Sequence, residues 1–161
     1  MTLDHPRAAS LCSPTATTAV ARHLTDDAAL NPPELAQGPR DSTADIFGNW
    51  VPNAAQASQY LGPDRSARVE KLDTWLELYH YPQRGLPVVV SLQGPLPGSA
   101  LPYAQGHLLV VTGCNPTTDL ITCMDPAFST ADSTHVEYLR TDFIRAWERR
   151  GRLAYIFTPQ D

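Results

Sequence analysis

Three residues of this 161-residue chain have the types and the order needed for catalysis by a cysteine nucleophile. Cys12 directly precedes the helix-start signal Ser13-Pro14. Nearly a hundred residues later, His107 opens an apolar strand and Asp125 closes the next one. A thiolate nucleophile, its proton acceptor and an orienting carboxylate are the three groups that such chemistry requires. The sequence therefore predicts a Cys-His-Asp site.

Cys12 is predicted to sit at the start of a helix running from Pro14 to about His23. Unpaired backbone N–H groups and the positive end of the helix dipole favour a thiolate there. Such a setting, with a nearby imidazolium, can lower a cysteine pKa from about 8.5 to roughly 3.5–7.5. The N–H of Cys12 would also face an oxyanion formed beside its sulfur. Taken alone, Cys12 is more consistent with a buried cysteine on a core helix.

His107 follows Gly106, which permits close approach of a substrate or another backbone segment. If the hairpin formed by the two strands is tight, Asp125 can reach His107 and fix its tautomer. The alternatives are a hydrogen-bonded core histidine and an aspartate that begins an Asp-Pro turn. Three such coincidences in this order are less plausible than one catalytic site, so the joint pattern favours catalysis.

Helical patterns come first along the chain and strands dominate later, which predicts an α+β fold. The patterns place helices at 14–23, 52–60, 69–79 and 141–150. Strands are predicted at 87–92, 107–112, 119–124, 136–139 and 153–157. The loop 93–106 is predicted either to border the substrate cleft as a flap or to be a passive connection.

Composition excludes several other classes of protein. The formal net charge of -5 argues against nucleic acid as a partner, which needs clustered basic residues. Three cysteines are an odd number, so they do not form a closed disulfide framework. The chain has neither a Cys-x-x-Cys pair nor a His-Glu-x-x-His motif, so we expect no metal and no cofactor. No apolar run is long enough for a membrane span.

The length predicts a single domain at residues 11–161, preceded by a loose segment at 1–10. The first thirty residues lack the pattern of a signal peptide. As written, the sequence predicts a cytoplasmic protein, and secretion stays open if Met1 begins a trimmed fragment. The sequence does not indicate an oligomeric state.

Several motifs in one order resemble the bacterial C39-like cysteine peptidases of the papain-like superfamily. The motifs cover residues 11–158 and are Cys12-Ser13-Pro14-Thr15, Gly48-Asn49-Trp50 with Asn53-Ala54, Gly85-Leu86-Pro87-Val88-Val89-Val90, Gly106-His107-Leu108-Leu109-Val110-Val111-Thr112-Gly113, Asp125-Pro126-Ala127, Phe143-x-x-x-Trp147 and Tyr155. The resemblance implies a papain-like α+β fold, with N-terminal helices packed on an antiparallel sheet. It also implies that Cys12 is the nucleophile, His107 the base and acid, and Asp125 the orienting residue.

The chain departs from this family at the oxyanion hole. Such enzymes usually have a glutamine upstream of the cysteine, whereas residues 1–11 contain none. The candidates for oxyanion or substrate binding are therefore Ser13, Asn49, Trp50, Gln105 and Gly106. Losing one oxyanion donor typically lowers turnover by about 100- to 1000-fold.

The leading hypothesis is a thiol hydrolase that cleaves a peptide or amide bond through an acyl-thioester on Cys12. The same triad would serve an acyltransferase or cyclase that acts on a thioester substrate. A third reading, motivated by the missing glutamine, is a binding module that keeps the fold without catalysis. The expected partner is a peptide or acyl substrate.

Overall fold

The computed structural model describes residues 12–26, 50–130 and 132–160, except for the side chains of residues 50–53 and 56. The predicted loose segment at 1–10 lies outside the described residues. The helices are α1 (Cys12–Thr25), α2 (Trp50–Leu61), α3 (Trp75–Gln83) and α4 (Arg140–Glu148). The strands are β1 (Arg65–Lys71), β2 (Val88–Leu92), β3 (His107–Asn115), β4 (Leu120–Met124), β5 (His135–Leu139) and β6 (Leu153–Pro159). A short 3-10 turn, Asp132–Thr134, precedes β5.

The six strands form one sheet in the order β1-β6-β2-β3-β4-β5, and every neighbouring pair is antiparallel. The central strand β2, a Val-Val-Val run with Ser and Leu, is buried along its whole length. β-Branched residues favour such a position because they pack well on a pleated surface. The predicted α+β fold is confirmed.

Both faces of the sheet are covered, and each has its own hydrophobic core. On one face, α1 and α2 pack against strand residues such as Val89, Val110 and Tyr155. On the other face, α3 and α4 pack against residues such as Val90 and Leu109. Alternate residues of β2 and β3 thus enter opposite cores, as the period of two in a strand requires. This double burial fixes the register that holds the site.

One predicted helix is wrong in its placement. The helical spacing at 69–79 does not form a single helix, because β1 occupies Arg65–Lys71 and pairs with β6 over seven residues. The helix α3 instead begins after Thr74, whose hydroxyl accepts a hydrogen bond from the Glu77 N–H at 3.2 Å. Glu77 in turn accepts one from the Thr74 N–H, which completes a capping box. The Thr-x-x-Glu signal marks the true start, and strand pairing overrides the apolar spacing before it.

The start of α1 also differs from the prediction. Cys12 is itself the first residue of the helix, two positions before Pro14. Pro14 is accommodated because the N–H groups of the first turn have no partner within a helix. Cys12 therefore lies within the first turn, among N–H groups that have no carbonyl partner within the helix.

Candidate active site

Cys12 is placed by the packing of α1 on the sheet. Ala16, Val20 and Ala21 of this helix are buried against the strands. Ser13 is fully buried, and its Oγ lies 3.5 Å from the Tyr155 hydroxyl of β6. This side of the first turn faces the sheet, while Cys12 is only half-buried. Cys12 thus lies at the end of the helix and is partly exposed as a residue.

His107 lies at the end of the ladder between β2 and β3, opposite Leu92. It is the first residue of β3, so its side chain projects where the sheet ends rather than in its middle. Gly106 before it has a φ of +95°, which a side chain would strain. The glycine therefore lets the chain turn sharply into β3 and brings the imidazole to the N-terminus of α1.

Asp125 follows β4 and is completely buried. Its Oδ1 lies 2.8 Å from Nε2 of His107, and this carboxyl oxygen also accepts the N–H of Ala127 at 3.0 Å. The backbone N–H of Asp125 donates to the Thr134 carbonyl at 2.7 Å. The aspartate is therefore fixed at its backbone and at its side chain. The use of Nε2 by Asp125 leaves Nδ1 as the ring nitrogen for Cys12.

Two tyrosines that the sequence analysis did not single out also bind Asp125. The Tyr103 hydroxyl donates to Oδ2 at 2.6 Å, and the Tyr138 hydroxyl donates to the same oxygen at 2.7 Å. The ring of Tyr103 also stacks on His107, with 4.1 Å between the ring centroids and 15° between the planes. Tyr138 occupies the inward side of β5, but nothing in its spacing from Asp125 indicates this contact.

The environment of Cys12 lowers the pKa of its thiol. Burial alone would raise this pKa, but a hydrogen bond from His107 and the positive charge of its ring outweigh that effect. The backbone N–H groups of Leu108 and Ser13 lower it further. The thiolate is therefore held by an imidazolium and two backbone donors.

The pKa of the His107 imidazole shifts in the opposite direction to that of the Cys12 thiol. Burial would lower the pKa of His107, but hydrogen bonds with Asp125 and Cys12 raise it from 6.5 to about 9. Burial would raise the pKa of Asp125, but the hydrogen bond and charge of His107 lower it overall, with help from Tyr103. These shifts favour the ionised form of each group: a Cys12 thiolate, a His107 imidazolium and an Asp125 carboxylate.

The other predicted binding residues are placed differently. The Ser13 hydroxyl faces Tyr155 in the interior, so it is not available to a substrate, although its N–H lies beside the sulfur. Gln105 is exposed, and Gly106 is half-buried, on the turn that leads into β3. Asn49 and the side chain of Trp50 lie outside the described residues. The loop 93–106 contains two buried side chains, Leu96 and Tyr103.

Other kinds of site find little support in the described part of the chain. No cluster of three or more metal-ligating side chains occurs among residues 12–26, 50–130 and 132–160. No helix within the same residues is long and apolar enough to cross a bilayer. Cys114 and Cys123 are free thiols, and Cys123 lies opposite Val111 rather than Cys114 in the hairpin.

Comparison with known proteins gives two findings. The sequence profile of the Peptidase_C39 like family matches residues 2–155. A solved structure of a candidate C39-like peptidase from Bacillus anthracis superposes with a TM-score of 0.69 at 17% sequence identity. That alignment covers 94% of this chain and 90% of the other, and at this identity it shows the shared fold. No curated protein matches the chain significantly.

Proposed function

Because the chain belongs to the Peptidase_C39-like family, we propose that it is a cysteine hydrolase that cleaves a peptide or amide bond. Cys12 acts as the nucleophile, His107 as the base and acid, and Asp125 as the orienting residue. The observation that carries this proposal is the contact of the Cys12 thiol with His107, whose Nε2 lies 2.8 Å from buried Asp125.

The reaction begins with attack of the Cys12 thiolate on the carbonyl carbon of the scissile bond. The tetrahedral intermediate collapses to an acyl-thioester as the imidazolium of His107 donates its proton to the departing amine. Neutral His107 then takes a proton from water, which attacks the thioester carbonyl. The carboxylic acid product leaves, the thiolate is restored, and His107 is again protonated.

The oxyanion is stabilised at the N-terminus of α1. Cys12 is the first helical residue, so its own N–H belongs to the set that has no partner within the helix. That N–H and the dipole of α1 supply part of the stabilisation that the absent upstream glutamine would otherwise give. Asn49 and Gln105 stay the side-chain candidates for a second donor.

Selective alkylation tests the activation of Cys12. Iodoacetamide at pH 6 should label Cys12 at least about 10-fold faster than a free thiol, because more of it is ionised. Cys114 is the internal control, since burial and Asp119 oppose ionisation there despite Arg140, and its pKa is raised. Peptide mapping by mass spectrometry measures each site. Labelling of Cys12 no faster than that of a free thiol would contradict the proposal.

Hydrolysis is tested with a library of peptidyl aminomethylcoumarin substrates. The native chain should release coumarin, and Cys12→Ala should abolish release while the thermal unfolding transition is retained. Cys114→Ala is the matched variant and should keep full activity. An acyl adduct on Cys12 that persists in water and is discharged by an added amine would instead favour the acyltransferase alternative.

A further inference from the structure

The loop between β2 and β3 is held in place around one residue, Tyr103. The carbonyl of Tyr103 accepts the N–H of Gly94 at 3.1 Å and the N–H of Gly106 at 3.0 Å. The Gln93 side chain also donates to the Ala104 carbonyl at 2.9 Å. Both ends of the loop therefore converge on this segment.

Tyr103 adopts a backbone conformation that a tyrosine takes only when its surroundings impose it. Its φ is +49°, in the left-handed region that favours glycine. The side chain is nonetheless 95% buried, with 5% exposed. An unfavourable backbone combined with a buried aromatic ring indicates that the loop is built to deliver this side chain to a particular place.

That place is the contact between His107 and Asp125. The Tyr103 ring lies parallel to the imidazole, with the centroids 4.1 Å apart, while its hydroxyl donates to Asp125 Oδ2 at 2.6 Å. One side chain thus touches both the proposed base and its orienting residue. Tyr138 donates to the same carboxyl oxygen but comes from β5, on the other strand of the β4–β5 pair.

We propose that Tyr103 is a positioning residue that covers the His107–Asp125 hydrogen bond and fixes the plane of the imidazole. This inference rests on the proposed function, since it assigns Tyr103 a role within that site. The ring excludes water, so the carboxylate and imidazolium interact across a medium of low dielectric constant. The hydroxyl holds the carboxylate in one orientation, with Oδ1 left to accept from His107.

Several titratable or charged groups lie near the His107–Asp125 pair. Cys12 approaches His107 from α1 and Asp125 from the end of β4, and Tyr138 of β5 donates to that Asp125. The Arg150 side chain passes next to Gly106, close enough to contact a Cβ placed there. Burial and the carboxylate raise the pKa of both tyrosines, so each stays a protonated donor across the working range.

Three variants separate the ring from the hydroxyl. Tyr103→Leu removes both, Tyr103→Phe keeps the ring, and Tyr138→Phe removes an equivalent hydroxyl while the ring over His107 remains. With the coumarin substrates, Tyr103→Leu should lower kcat by about 100-fold with KM within about 2-fold. The two phenylalanine variants should lower kcat by about 10-fold or less. Equal losses in Tyr103→Leu and Tyr103→Phe would overturn the role of the ring.

A second readout does not need turnover. In the Cys12→Ala background, NMR titration of the His107 ring gives its pKa directly. Tyr103→Leu should shift this pKa by about one unit, because water then reaches both the imidazole and Asp125. Tyr103→Phe should change it less. An unchanged pKa in folded Tyr103→Leu would overturn the proposal.

The two readouts distinguish failure of the inference from failure of the proposed function. A native chain without hydrolysis and with an unactivated Cys12 would refute the function and remove the catalytic role of Tyr103 with it. A native chain that hydrolyses substrate, with no change in Tyr103→Leu, would refute the inference alone. If Tyr103→Leu does not fold, the test uses Tyr103→Phe and Tyr138→Phe, which keep the ring over His107 and each lose one hydroxyl. The proposal requires that neither variant loses more than about 10-fold in kcat, and a larger loss would overturn it.

Discussion

The N-terminus of α1 and the C-terminal half of β4 each hold a cysteine; burial acts to raise the pKa of both thiols, yet the net shifts are opposite. Cys12 has a lowered pKa although burial is the largest single influence on it. Cys123 is completely buried, and its pKa is raised well above 9.0 by burial and by the charge of Asp125. The Cys123 thiol donates weakly to the Ile121 carbonyl at 3.9 Å, and this contact requires the protonated thiol.

The difference lies in the neighbours of each sulfur rather than in its depth. Cys12 faces an imidazole and two backbone N–H groups, each of which favours a thiolate. Asp125 affects both thiols, but with opposite sign. It repels a negative charge at Cys123 directly, whereas it promotes one at Cys12 by keeping His107 protonated. A single carboxylate thus favours ionisation of one cysteine and opposes ionisation of the other.

Removing the imidazole should abolish most of the difference between the pKa shifts of the Cys12 and Cys123 thiols. In His107→Ala, burial is no longer opposed at Cys12, so the pKa of the thiol should rise toward that of an inert cysteine. Alkylation of Cys12 by iodoacetamide at pH 7 should then fall by about 100-fold, which corresponds to about two pKa units. The measurement is the labelling rate determined by mass spectrometry.

The matched control is His135→Ala, because His135 is an exposed histidine on β5. This variant should label at the native rate. If His107→Ala also labels at the native rate, the helix N-terminus alone would account for the activation, and the contrast would not depend on His107.

The pH dependence sharpens the comparison. The thiolate of Cys12 is lost only as pH falls through a pKa below 9.0, and the acid form of His107 is lost as pH rises through about 9. Hydrolysis should therefore fall about 10-fold for each pH unit above 9, while alkylation of Cys12 stays high there. Parallel pH profiles of both rates check this, and alkylation that rises only near pH 9 would contradict it.

The raised pKa of His107 also links stability to pH. Its unfolded value is 6.5 and its folded value about 9, so the folded state binds the proton more tightly. The stabilisation from this proton is complete below pH 6.5 and is lost as pH rises through about 9. The thiolate of Cys12 supplies the partner charge over the upper part of this window.

The smallest expected effect is at Cys123. Cys123→Ala should lower the free energy of unfolding by about 1–2 kcal/mol, because it leaves a small cavity in the core between β3 and β5. Alkylation of Cys12 should stay within about 2-fold of the native rate. Urea unfolding measures the stability, and Cys114→Ala, at a half-buried position, is the milder comparison. A loss of Cys12 reactivity in Cys123→Ala would show that the two regions are coupled.

Much of the fold could be predicted because its signals are local. The Val88–Val90 run, the hairpin around Asn115 and the amphipathic pattern of α4 each depend on residues near one another in the chain. The region from Val69 to Tyr79 failed for a physical reason. Its apolar spacing fits a helix, but pairing of Arg65–Lys71 with β6 supplies backbone hydrogen bonds that local propensity does not record.

The sequence by itself determined the types and the order of Cys12, His107 and Asp125, together with the strand ends that carry the last two; it placed the start of the first helix two residues too late. Only the tertiary structure decided that Asp125 accepts from two tyrosines and that the Tyr103 ring covers His107. These contacts join a loop, the end of one strand and the inward side of another. The spacing of residues along the chain does not predict such contacts, because they arise from the packing of a sheet whose two faces are both buried.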